Sequence, residues 1–171
     1  MSDIEPLAEQ RMHRYLERAL FWLEWVTMAV LLVITLIRPR SGLAGIPTWA
    51  LVLAFATYTL LANVVQSRLH TPQAFAKRYI LDLPVTALVY FLAGEPGGPL
   101  FVLFVLGIDC AAASMSLQGT LIYTAVTATT LGVIDLMLEE GLSTATNIRL
   151  LLTRIVIVAL VGVGMAILTR R

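Results

Sequence analysis

Asp82, Asp109, Asp135, Arg149 and Arg154 all fall inside, or at the ends of, long apolar runs. A charge in hydrocarbon costs at least about 2.5 kcal/mol on the most lenient insertion scale, so each of these residues needs a partner, a proton or a wet cavity. The chemistry open to them is ion pairing, proton relay or a charge-biased change of packing. By position, Glu24 and Asp82 belong to the cytoplasmic half of an apolar layer and Asp109 to its midplane. Asp135 and Arg149 belong near the outer edge, with Arg154 in the outer half. Expected pairs are therefore Arg154 with Asp109 or Asp135, and Arg149 with Asp135, Glu139 or Glu140. Asp82 follows Arg78 by one helical turn, a spacing that permits a local ion pair.

Other chemistry finds little footing. Cys110 adjoins Asp109, but neighbours on a helix point about 100° apart, so the two do not form a nucleophile and base, and an inert thiol is expected. His13 and His70 have no cysteine or acidic partner at ligand spacing, so neither a metal nor a cofactor is expected. No phosphate-binding loop, zinc-protease motif or catalytic triad pattern is present, and the chain is expected to be non-enzymatic.

The elements that must hold these residues are set by composition. The 171 residues are 58% hydrophobic and 13% charged, with a mean hydropathy of +0.85, which is outside the range of ordinary soluble domains. A net charge of +1 without a concentrated basic face argues against nucleic acid as a partner and leaves the lipid bilayer. Crossing a bilayer takes about 20 apolar residues. Six such segments are predicted, at 19–37, 46–66, 76–94, 100–117, 119–138 and 147–169, after a polar cytoplasmic segment 1–18. In lipid the backbone must satisfy itself, so the expected fold is all-α, a compact bundle of six transmembrane helices. The first apolar run is expected to be a retained anchor, because 1–18 is polar and mixed in charge.

Arg11, Arg14, Arg18, Arg68, Lys77, Arg78, Arg170 and Arg171 fall on one side of this arrangement, and Arg38 and Arg40 flank the other. By the positive-inside rule both termini are expected to be cytoplasmic. Trp22, Trp25, Trp49, Tyr15 and Tyr79 fall near segment ends, as an aromatic belt requires. Arg11, Arg14 and Arg18 recur at helical spacing, though Glu5, Glu9 and Glu17 dilute the stripe.

Faces and turns complete the pattern. Asp109, Ala112, Ala113 and Ser116 share one face of segment four, and Arg154 and Gly162 share one of segment six. Thr120, Thr124, Thr127 and Asp135 line segment five. Small residues permit close approach and hydroxyls supply interhelical glue, so the three faces are expected to meet. For Asp109 and Arg154 a structural and a functional role both stay open. Pro84 removes a backbone hydrogen bond and is a candidate hinge. Gly97, Gly98 and Pro99 follow Glu95 and Pro96 and force the chain to reverse between segments three and four.

On these residues the chain resembles the six-helix N-terminal membrane module of bacterial sensor histidine kinases of the pilus-regulating type. Arg78 and Asp82 match the basic residue and aspartate that open helix three in such modules, and Gly97, Gly98 and Pro99 match the turn before helix four. Residues 119–125 match the start of an alanine-rich helix five, and Arg149 matches a basic residue opening helix six. The serine that usually precedes the proline is absent, and Asp109 takes a position that is commonly apolar. The resemblance implies a sensor of a two-component system in the bacterial cytoplasmic membrane. It would act as a homodimer, passing a membrane-borne stimulus through helix six to a cytoplasmic kinase domain or partner protein outside these residues. Two other readings remain: a structural or accessory subunit of a larger membrane complex, and a small transporter of protons, ions or solutes.

Overall fold

The computed structural model describes the backbone of residues 4–43, 45–69, 72–94, 98–138 and 145–168, and the side chains of 19, 21–43, 45–65, 81–94, 98–138 and 148–167. Six α-helices account for nearly all of it: α1 (Ile4–Ile37), α2 (Thr48–Leu69), α3 (Pro72–Ala93), α4 (Val102–Ser114), α5 (Leu117–Leu138) and α6 (Ala145–Leu168). A 3₁₀ turn, Pro99–Phe101, leads into α4, and the described residues contain no strand. The fold is all-helical, and three helices are long and apolar enough to cross a membrane: Thr48–Val65, Leu117–Leu138 and Ile148–Ile167. Apolar stretches in the other three, Phe21–Ile37, Leu81–Ala93 and Pro99–Ser114, are shorter. In α1 and α3 the polar N-terminal turns belong to the same continuous helix as the apolar part, so the expected segments 1–18 and 19–37 are one element.

Helix ends follow the residues that make them. Gly94, at φ +63°, ends α3 in the left-handed conformation, and a Cβ there would also collide with Leu43. Pro99 occupies the first position of the 3₁₀ turn, where its missing amide leaves no gap, after an extended Gly98. Gly97 lies outside the described residues. Segment four was expected to run to 117, but α4 stops at Ser114 because Met115 is extended (φ −104°, ψ 162°). The Ser116 hydroxyl then accepts the Gly119 amide at 3.3 Å and caps α5, which therefore starts at Leu117. Ser116 consequently does not continue the α4 face of Asp109, Ala112 and Ala113.

Helix α4 is the centre of the bundle, packing on α1, α3, α5 and α6. Leu103, Phe104, Ile108 and Ala111 of α4 are fully or almost fully buried, together with Tyr90 of α3, Leu131 of α5 and Val158 of α6. The outer surface is apolar as well: Trp22 is 67% exposed, Leu160 67% and Met137 68%. Helices that are hydrophobic all round, with a packed side and an exposed side of the same character, are those of a membrane or a buried core. Pro84 sits inside α3, which runs through it as helix.

Candidate functional site

The carboxylate of Asp135, one turn before the end of α5, is fully buried. Both of its oxygens are engaged. The Tyr90 hydroxyl of α3 donates to Oδ1 at 2.6 Å, and the Arg154 guanidinium of α6 donates to Oδ2 at 2.8 Å. Tyr90 is itself fully buried and held edge-on by Phe104 of α4, ring centroids 5.5 Å apart at 77°. Three helices thus meet at one anion, and a fourth holds the tyrosine ring. The pair is formally neutral, and the added tyrosine bond offsets part of the desolvation that makes bare buried ion pairs unfavourable.

The residues below Asp135 on α5 explain how α6 comes close enough. Thr120, Thr124, Thr127 and Leu131 line the same buried face, at most 5% exposed. The hydroxyls of Thr120 and Thr124 turn back onto their own helix, to Ser116 O at 3.1 Å and Thr120 O at 2.8 Å, which leaves their methyl groups to pack. Gly162 of α6 lies on Thr124, and a Cβ at that position would overlap its side chain. Arg154, Val158, Gly162 and Ala166 recur every fourth residue, and the last three are buried, so one stripe of α6 faces inward. Thr127 keeps a buried hydroxyl with no hydrogen-bond partner.

Of the residues singled out in the sequence, the structure brings Asp135 and Arg154 together. Asp109 is half-buried on α4, and no hydrogen bond or ion pair reaches its carboxylate among the described residues. It lies round the helix from Leu103, Phe104 and Ala111, which is why it does not compete for Arg154. Arg149 is exposed at the start of α6, without an ion pair among the described residues, because Arg154 occupies Asp135. Glu139, Glu140 and the side chains of Arg78, Arg11, Arg14, Arg18, Arg68, Lys77, Arg170, Arg171, His13 and His70 lie outside the described residues, as do Glu95, Pro96 and the side chains of Tyr15 and Tyr79. Asp82 has a bond across helices: the Tyr58 hydroxyl of α2 donates to its Oδ1 at 2.7 Å, and its expected partner Arg78 has a side chain outside the described residues. Cys110 is half-buried.

Tyr58 and Tyr90 are the partners that sequence reasoning misses. Tyrosine in an apolar run looks like any other aromatic, and the only available signal is that a buried carboxylate has two oxygens while one arginine commonly takes one. Glu24 of α1 is only 8% exposed, and the buried indole nitrogen of Trp25 has no hydrogen-bond partner among the described residues. No family model, curated protein or solved structure matches the chain. The likeness to kinase sensory modules therefore rests on the residues quoted for it alone.

Proposed function

We propose that the chain is an integral, multi-pass membrane protein of the bacterial cytoplasmic membrane, with six spans and both termini cytoplasmic. In this reading it is a signal-input module that relays a bilayer-borne stimulus through α6. The observation that carries the reading is how α6 is held. One ion pair, Arg154 to Asp135, fixes its outer half, and one glycine contact, Gly162 on Thr124, fixes the half beyond. Few other polar contacts need to break for it to shift. Its outward face is apolar, with Leu152, Val156 and Leu160 all more than half exposed, so lipid or an apolar ligand would have direct access to it. A stimulus that binds one position of α6 better than another shifts the population between them by its difference in affinity, and nothing more is needed for a relay. The output, a kinase domain or partner protein, and the homodimeric state are what the resemblance implies.

Topology is tested first. In a Cys110→Ala background, a membrane-impermeant maleimide added to intact spheroplasts should label a Ser41→Cys variant and leave Ser116→Cys unlabelled until the membrane is opened. The reverse pattern, or equal labelling, would exclude this orientation. The relay is tested by spin labels at 65 and 163 in lipid nanodiscs. Replacing Asp135 by Asn should broaden or displace the distance distribution between α2 and α6. An unchanged distribution in a folded variant would make α6 a fixed strut and favour the accessory-subunit reading.

A further inference from the structure

The segment between α1 and α2 is a built loop rather than a slack linker. Ser41 and Pro47 form an isolated bridge, the Gly42 amide donates to Ile46 O at 2.9 Å, and the Thr48 amide donates to Arg40 O at 2.9 Å. The Leu43 amide donates to Leu92 O at 3.0 Å, which docks this small hairpin on the end of α3. Between the hairpin, the end of α1 and the turn that opens α4 lies a cleft of about 150 Å³, with Ile34, Ala93 and Leu100 forming its apolar side. Arg38, Arg40 and Thr48 also line it, and among the described lining residues none is acidic.

Two independent donors line the cleft. Thr48 is only 4% exposed, yet no hydrogen bond reaches its hydroxyl among the described residues, so a nearly buried donor borders the cleft unused. Arg38 has no ion pair among the described residues and its guanidinium is exposed. Thr48 also opens α2, so the cleft borders the positive end of that helix dipole, although the Thr48 and Ala50 amides are themselves bonded to Arg40 O and Pro47 O. Arg40 lines the cleft too and has a contact of its own. A single water needs only about 10–15 Å³ on this measure, so the cleft has room for a polyatomic anion. A guanidinium fork beside an unused hydroxyl and the positive end of a helix suits an oxyanion, and the apolar side suits the substituent that a phosphate ester carries.

We propose that this cleft binds a phosphate group, the chemistry shared by a phospholipid headgroup at the membrane surface and a free phosphate ester. The proposal is independent of the signal-input reading, and either can fail alone. The test is native mass spectrometry of the purified full chain in detergent, with phosphatidylglycerol, phosphate-free diacylglycerol and glycerol phosphate as probes. Phosphatidylglycerol should be retained and diacylglycerol should not. Arg38→Gln should weaken retention about tenfold, the loss expected for one charge-assisted contact. Thr48→Val should weaken it several-fold. Retention that persists in excess glycerol phosphate assigns the site to the lipid headgroup, and displacement by it assigns the site to soluble phosphate esters as well. Equal retention of the two lipids, or unaltered phosphatidylglycerol retention in both variants, overturns the proposal. A melting curve accompanies each variant, and if Arg38→Gln does not fold, Thr48→Val decides.

Discussion

Asp135 and Asp109 sit in neighbouring apolar helices and could hardly be treated more differently. Asp135 is fully buried with a donor on each oxygen, whereas Asp109 is half-buried with no bonded partner among the described residues. The contrast lies in what the facing helix brings. On α5 the threonine face admits Gly162 and with it Arg154, and α3 adds Tyr90 at the same level. On α4 Leu103, Phe104, Ile108 and Ala111 fill the core, and Asp109, between the buried Leu106 and Ala112, meets no donor among the described residues. An apolar helix thus tolerates a carboxylate for two reasons: because the fold is assembled round it, or because the fold does not enclose it. Only the first kind is tied to stability.

Breaking the first kind gives the largest effect. Arg154→Met leaves Asp135 buried and uncompensated and should destabilise the bundle by about 3–5 kcal/mol in a denaturant titration in detergent. Adding Asp135→Leu to it should recover most of that loss, since removing both partners leaves nothing stranded. A single variant as stable as the parent would erase the contrast. Gly162→Leu forces α5 and α6 apart and should cost about 1–3 kcal/mol, with the Arg154 pair weakened as a by-product. Tyr90→Phe removes one donor and keeps the ring against Phe104, so a loss of about 1–2 kcal/mol is expected. At the other pole, Asp109→Asn should change stability by no more than about 0.5 kcal/mol in the same titration, because no bond in the described bundle depends on it. A large loss there would show that Asp109 has a partner the contrast denies it.

Much of this arrangement is legible in the chain. Long apolar runs give the helices, and the spacing of Thr120, Thr124, Thr127 and Asp135 gives the buried face of α5, because 3.6-residue periodicity is a local property. The spacing of Arg154 and Gly162 gives the matching stripe on α6. Partner choice is not local. Arg154 is level with both Asp109 and Asp135 in sequence projection, and only the rotation of α4 about its axis, set by Leu103, Phe104 and Ile108, removes one of them. The phosphate-sized cleft is also illegible, since Arg38 and Arg40 read only as flanking charge until Leu43 pins the hairpin to Leu92. The α4–α5 junction, by contrast, has a readable marker in Ser116, whose capping of Gly119 hydropathy alone passes over.

The contact of Gly162 with Thr124 has a mechanical consequence. It is a close approach between α5 and α6, and it falls between Arg154 and the end of α6 at Leu168. A stiff rod pinned at an interior point turns as a lever. Were the guanidinium to leave Asp135, the N-terminal arm would swing and the C-terminal arm would swing the opposite way by about a third of that distance, since 17 residues of α6 precede Gly162 and 6 follow it. The small side chain of glycine makes that point a fulcrum, and widening it would convert rotation into separation.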